Sequence, residues 1–371
     1  MQDGHEPPLQ IVLFGTFDEA THPRVTVLAE ALSAAGHSVI RCNEPLDIST
    51  AEKLAAVHRP WKALPLIVRG VKRWIELVHR SRELGRHTPD VVLVGYLGLF
   101  DVHLARLCFR APVILDHMAP AAGTATDRGL PFHRILSLID RMALRAATLT
   151  VLDTSDGRPE EPGTEVVRVG APWRWFVEPR PEGAPTEPLS VCFFGLFTPL
   201  QGTEVIGGAI QLLGDRPDIT WTLIGSGQDR PPMEEAIRGI DQVTWIDWVP
   251  AEDLPDVVAS HDVCLGIFGT TAKGLRVVPN KVFQGAAAGC AVVTSATDNQ
   301  QTALQGAGVL VPPGDAGALA EAIAELADDR ELLAERKGAA RARAEAAFSP
   351  RALSERMDHL VGSVVARQPR S

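Results

Sequence analysis

Lys273, Arg276, Asn280 and Lys281 stand close together, with almost no acid nearby, in the stretch GIFGTTAKGLRVVPNKVFQGAAAGCAVVT (residues 266–294). Three cations and an amide in one polar turn can hold a phosphate or diphosphate. The turn follows an apolar run at 263–268 and leads into an Ala-rich helical pattern, after which a second apolar run begins at 291. That order of strand, loop, helix and strand puts the loop outside the carboxyl ends of a parallel sheet, beside a helix N-terminus that favours an anion. The competing reading is a solvated loop in which Pro279, Asn280 and Lys281 are only turn and helix-start residues.

The elements needed to position such a loop are legible along the chain. An apolar strand pattern at 9–14 ends in Gly15-Thr16, a helix pattern runs 23–35, and a second strand covers 38–41. The same order returns at 190–194, with Gly195, a helix at 203–213 and a strand at 220–224. Two such openings, about half the chain apart, predict an α/β protein of two Rossmann-like, doubly wound domains facing a central cleft. The Pro-rich run EPRPEGAPTEP at 178–188 reads as the linker, so the expected domains are 1–185 and 186–348, with a last helix in 349–371. Further strands are expected at 91–94, 113–115, 149–152 and 243–249, each with polar residues or a turn at its carboxyl end. Gly225 and Gly227, after the strand at 220–224, are candidates for a close approach of ligand to backbone, although only two glycines fit a GxGxxG pattern.

A chain of 371 residues with 45% hydrophobic and 22% charged content has the composition of a globular protein of about two domains. The formal net charge of -10 argues against nucleic acid as a partner. An anionic ligand must therefore meet a local basic patch. Cys42, Cys108, Cys192, Cys264 and Cys290 form no CxxC pair and read as free thiols, mostly buried, rather than disulfides or zinc ligands. The polar first ten residues lack a signal-peptide core and no stretch is long and apolar enough to span a bilayer, so a soluble, cytoplasmic protein is expected.

One segment departs from the acidic balance. Residues 58–87 carry eight Lys/Arg against two Glu and read as a helix pair. Leu64, Val68, Val71, Ile75 and Val78 share one helical face, with Lys62, Arg69, Lys72, Arg73 and Arg80 largely off it. Such a segment either rests peripherally on anionic lipid, at the inner membrane face, or packs as a surface helix on its own sheet.

With these residues assembled, the chain resembles a GT-B-fold retaining glycosyltransferase of family four, over nearly its whole length. The motifs are FFGLFTPLQG, TLIGSGQD, WIDWVPAEDLPDVVASHDVCLGIFG, VVPNKVFQGAAAGCAVVT and GVLVPPGD in the second half, and VVLVGYLGLFDVHLARL, VILDHMAP and VVRVGAPWRWF in the first. The resemblance implies that the second domain holds a nucleotide-diphosphate sugar, the first holds the acceptor, and the last helix crosses back to the first domain. It also implies transfer with retention of anomeric configuration, no metal and no bound cofactor. The co-substrate expected is a UDP-sugar, and the acceptor a small metabolite or a glycan precursor.

In such a site, cations must stabilise the negative charge that grows on the leaving diphosphate. Lys273 and Arg276 are assigned that work, with Gly15 and Thr16 supplying backbone N–H groups from the other domain. Gly195, Gly225, Gly227, Val249, Asn280, Lys281 and Gln284 complete the expected donor site. Two departures from the family pattern bear on it. Leu196, Phe197 and Gln201 fill a run that in many members carries an Arg and a Lys. Arg276 and Gln284 fill two positions, eight apart, where many members carry glutamates. Gln284 can still bond a ribose diol, without charge assistance.

His117 matches in position a histidine that touches the donor sugar in related enzymes, and reads equally as a structural histidine. Asp101 either orients an acceptor hydroxyl or caps a helix. Asp116, Asp127 and Arg128 are assigned to the acceptor side. Two other readings stay open: a nucleotide-sugar epimerase, which the scarcity of acids in 266–284 disfavours, and a non-catalytic homologue that stabilises a partner enzyme, which the missing Arg, Lys and Glu suggest.

Overall fold

The structure is a computed structural model that describes residues 7–19, 22–46, 63–84, 89–95, 98–117, 133–153, 163–180 and 187–367. The chain divides into two compact units, Met1–Arg168 with Leu353–Ser371, and Val169–Ala352. The changeover thus falls at 168, not in the Pro-rich run near 185. Residues 169–180 go with the second unit because they bond to it: Ala171 N donates to Phe348 O, Arg180 N to Ala259 O, and Trp175 stacks on Phe194.

The first unit contains β1 (Gln10–Gly15), α1 (Pro23–Ala34), β2 (Ser38–Asn43), α2 (Ala63–Glu83), β3 (Val91–Val94), α3 (Asp101–Cys108), β4 (Val113–Asp116), α4 (His133–Ala146), β5 (Leu149–Leu152) and β6 (Thr164–Val166). Among the described residues its strands form one six-stranded sheet of order β2-β1-β3-β4-β5-β6, with every pairing parallel. The inner strands β1, β3, β4 and β5 are buried and mostly apolar on both sides, as burial on both faces requires, whereas the edge strands β2 and β6 are partly exposed. Ile11, Leu13, Val91, Leu93 and Ile114 pack under α1 on one face; Val12, Phe14, Val92, Val94 and Leu115 pack on the other with Leu77 of α2, Val102 of α3 and Ala143 of α4. The chain returns to this unit at its end: Leu353, Met357, Leu360, Val361 and Val364 join the α1 face. The basic segment forms one helix, α2, where the sequence suggests two, and residues 58–62 and 85–87 lie outside the described ones.

The second unit contains β7 (Leu189–Phe194), α5 (Thr203–Leu212), β8 (Ile219–Ile224), α6 (Arg230–Ala236), β9 (Val243–Ile246), α7 (Leu254–Ala259), β10 (Val263–Leu265), α8 (Asn280–Ala287), β11 (Ala291–Ser295), α9 (Asp298–Leu304), β12 (Val309–Val311), α10 (Ala316–Asp328) and α11 (Arg330–Ala347); α12 (Pro350–Ala366) follows. Its parallel sheet has the order β12-β11-β10-β7-β8-β9. The connections reverse direction between β7 and β10, and a crevice at such a switch point is where open α/β sheets bind ligands. Asp315 and Asp329 cap α10 and α11, each carboxylate accepting a backbone N–H three residues on.

Candidate functional site

At the switch point of the second unit, the turn after β7 faces the first turn of α8. Lys281, the second residue of α8, is 5% exposed. Its Nζ donates to Gln201 Oε1 at 2.7 Å and lies 3.7 Å from the centre of the Phe193 ring. A Cβ built on Gly195 would come within 3.2 Å of that ammonium. Gln201, which stands where a cation is missing from the β7 turn, thus receives one from α8. Helix α8 can carry it there because Gly285, without a side chain, lets the helix lie against Cys264 of β10.

The electrostatics of this position favour an anion. No acid lies in the first turn of α8, and a cation there meets the partial positive charge of the helix N-terminus. Burial pulls the Lys281 ammonium down from its ordinary value to about 7, against a smaller upward push from the Cys264 and Cys192 thiols. A diphosphate beside Nζ would relieve both costs. Gln284, one turn along the same helical face, is also buried, and Asn280 is half-buried.

The other expected donor residues fall differently. Lys273 is half-buried in the loop after β10; Arg276 is exposed, and its Nε donates to Ala272 O at 2.9 Å. Lys281 is therefore the cation that the fold brings to the end of β7. Gly225 and Gly227, expected to admit a ligand, instead admit the chain itself. At φ +126° and +156°, their missing Cβ atoms would lie 2.0 Å from Gly195 O and 2.2 Å from Phe197 O. Their role is to let the β8 turn lie on the β7 turn. Val249 is outside β9, which ends at Ile246 rather than 249; just past the strand, the exposed Asp247 pairs with Arg230 Nη1 at 2.7 Å.

In the first unit, the switch point lies between β1 and β3. Thr16 follows β1, and both its backbone N–H and its hydroxyl donate to Asp101 Oδ2, at 2.7 and 2.9 Å. Asp101 Oδ1 accepts from Trp74 Nε1 at 2.8 Å. This corrects two expectations. The Thr16 N–H is spent on Asp101, so it is not a free donor for a diphosphate. Asp101 is the first residue of α3 with Phe100 at the cap position, and it neither caps the helix nor offers an unused oxygen to an acceptor. It is a positioning residue that joins the β1 turn to α2 and α3. Burial pushes its carboxyl above the usual range, partly offset by the three donors.

Asp116, expected on the acceptor side, is buried in an ion pair with Arg24: Nε to Oδ1 is 2.7 Å, and the guanidinium also donates to Val167 O and Leu152 O. It ties α1 to β4, β5 and the end of β6, which is a structural role. Burial pushes its carboxyl up against the pull of Arg24, and among the described residues Oδ2 has no hydrogen-bond partner. His117 is buried, with Nε2 3.8 Å from Asp140 Oδ1. Asp127 and Arg128 lie outside the described residues. Sequence reasoning missed Trp74, Arg24 and the pairing use of Gln201, since each acts across a long separation. It also passed over Trp248, which is 73% exposed just beyond β9 and next to Val249.

Two doubly wound parallel-sheet units, each with polar residues at its switch point, make up a fold of the GT-B kind, which solved glycosyltransferase structures share. Residues 188–329 match the family described as "Glycosyl transferases group 1". No curated protein matches the chain by sequence. Among solved structures, sucrose-phosphate synthase (tll1590) from Thermosynechococcus elongatus is similar at TM-score 0.68 and 17% identity, covering 97% of this chain and 100% of that one. Anabaena Alr3699/HepE in complex with UDP is similar at TM-score 0.64 and 14% identity, covering 96% and 100%. Trehalose-6-phosphate synthase OtsA is similar at TM-score 0.65 and 13% identity, covering 98% and 100%. At these identities the likeness is one of fold.

Proposed function

We propose that the chain is a metal-independent, retaining glycosyltransferase that moves a sugar from a nucleotide-diphosphate sugar, most readily a UDP-sugar, to a small metabolite or glycan-precursor acceptor. The observation that carries this reading is the Lys281–Gln201 pair beneath Gly195, at the switch point of the unit that matches the group 1 family. Support for the nucleotide comes from fold relatives whose structures hold UDP.

The chemistry asked of Lys281 is charge stabilisation. As the bond from the anomeric carbon to the diphosphate breaks, its electron pair stays on the phosphate oxygen, and a preorganised ammonium there stabilises the transition state more than the ground state. The acceptor oxygen bonds to the same carbon, and its proton leaves with the nucleotide. Asn280 and Gln284, on the same helix, supply polar contacts to the nucleotide. In this reading Lys273 and Arg276 reinforce the diphosphate site from the loop.

Calorimetry with UDP, GDP and ADP tests the reading. UDP binding that is lost in Lys281→Ala supports it. Absence of binding by any of the three makes the chain a non-catalytic homologue. A nucleotide sugar that changes configuration without an acceptor makes it an epimerase.

A further inference from the structure

Helices α2, α3 and α4 lie side by side over one face of the first unit's sheet, α3 touching both neighbours. Helix α2 meets the sheet through Trp74 and Leu77, and α4 through Ala143 and Ala146. Each has a second apolar row turned away from that core. On α2 it is Leu64, Ile67, Val68, Val71 and Ile75, at the helical spacing of one face, with Leu64 63% and Val68 60% exposed. On α4 it is Ile135, Leu138 and Met142, all at least half exposed, and Leu107 on α3 between them is 84% exposed. Helix α2 thus packs on its own sheet through one face, while its second apolar row is exposed.

The charges beside these rows are sorted. Arg69, Lys72, Arg73, Arg80 and Arg82 lie on α2 and Arg134, Arg141 and Arg145 on α4, against Glu76, Glu83 and the buried Asp140, in a chain of net charge -10. Arg73 is paired with Glu76 at 2.8 Å and Arg80 with Glu44 at 2.9 Å, whereas Lys72, 4.0 Å from Glu76, has its side chain 75% exposed, as Arg134, Arg141 and Arg145 on α4 are exposed. An apolar row rimmed by cations on an otherwise acidic protein matches an anionic lipid surface, where side chains enter the acyl boundary and cations meet headgroups. A second copy would set the same cations against each other. No helix among the described residues is long and apolar enough to cross a membrane, which leaves docking in the interfacial plane.

We infer that the α2–α4 face of the first unit docks peripherally on an anionic lipid bilayer. The inference stands independently of the glycosyl-transfer reading, since it uses none of the residues at the switch points of the sheets. The test is flotation of the full chain with vesicles of equimolar phosphatidylglycerol and phosphatidylcholine, and with phosphatidylcholine alone. Binding is expected to the first only, to be lost in Ile67→Asp/Val71→Asp, and to weaken about fivefold per charge in Lys72→Gln and Arg145→Gln. Leu212→Asp, on an exposed position of α5, serves as the control and keeps full binding. Circular dichroism checks that each variant is folded. The inference is overturned if the chain fails to float with anionic vesicles, or if the double Asp variant and the control float alike. It is also overturned if sedimentation shows a dimer that the double variant abolishes while vesicles go unbound, since the occupant would then be a second copy.

Discussion

Lys281 Nζ and Gln201 Oε1 meet at 2.7 Å across a separation of 80 residues, joining the first turn of α8 to the turn after β7. The amide accepts from the ammonium and so fixes where the charge sits. A neutral residue in the β7 turn and a cation in α8 together place one positive charge at that turn, and this cation is buried.

Removing the charge while keeping the length of the side chain isolates its contribution. Lys281→Met is expected to weaken UDP binding by about 1.5–3 kcal/mol, the range for a charge-assisted hydrogen bond. Gln201→Leu leaves Nζ without this acceptor and should weaken binding less. Isothermal titration of both variants checks the order, and equal affinity in all three proteins would remove Lys281 from the site.

The depressed Lys281 also makes binding depend on pH. With its pKa near 7 in the free protein, the ammonium is largely neutral at pH 9, and a bound diphosphate must draw a proton back. UDP affinity is therefore expected to fall between pH 7 and 9, by up to about tenfold per unit, and proton uptake should appear in buffers of different ionisation heat. A flat profile would sink this assignment.

The same shift predicts a stability trend, with its sign fixed by linkage. The unfolded chain binds one more proton than the folded one between about pH 7 and 10.5, so stability rises with pH through that window and levels off below it. Lys281→Met should abolish that slope, and below pH 7 should stabilise the second unit by an amount on the order of a few kcal/mol. Urea melts at pH 6.5 and 9.5 measure it, following a probe in the second unit because a two-unit chain need not unfold in one step.

In the first unit the buried Arg24–Asp116 pair predicts an asymmetry. Arg24→Leu leaves a carboxylate buried without its cation and should cost about 3–5 kcal/mol, whereas Arg24→Leu with Asp116→Leu should recover much of that loss. Chemical denaturation of the two variants decides it. Double and single losses of equal size would mean that the pair is not what holds α1 to β4 and β5.

Asp101 should behave as a positioning residue. Asp101→Asn sets an amide donor against the donors of Thr16 or Trp74, and a loss of about 1–3 kcal/mol of stability is expected, with UDP affinity unchanged. A variant that loses UDP binding but not stability would return Asp101 to the reaction.

What the sequence determined by itself was whatever repeats over a few residues. The apolar runs of β1 and β7, the helical spacing of α2 and the two matching strand-turn-helix openings are local patterns, and each formed the kind of element its pattern predicts, although the basic segment made one helix rather than two and the apolar run at 263–268 a strand only at 263–265. Bounds were less legible, as at β9, which ends at Ile246 where the apolar pattern continues to 249. Only the tertiary structure chose among the cations, because reaching Gln201 depends on how closely α8 lies on β10, and Gly285 and Cys264 set that distance. The same holds for Thr16, Trp74 and Asp101, and for Gly225 and Gly227, whose empty Cβ positions belong to neighbouring turns rather than to a ligand. A short-range period records which face a residue occupies; the partner that face meets is decided by packing between distant segments, and no local pattern carries that information.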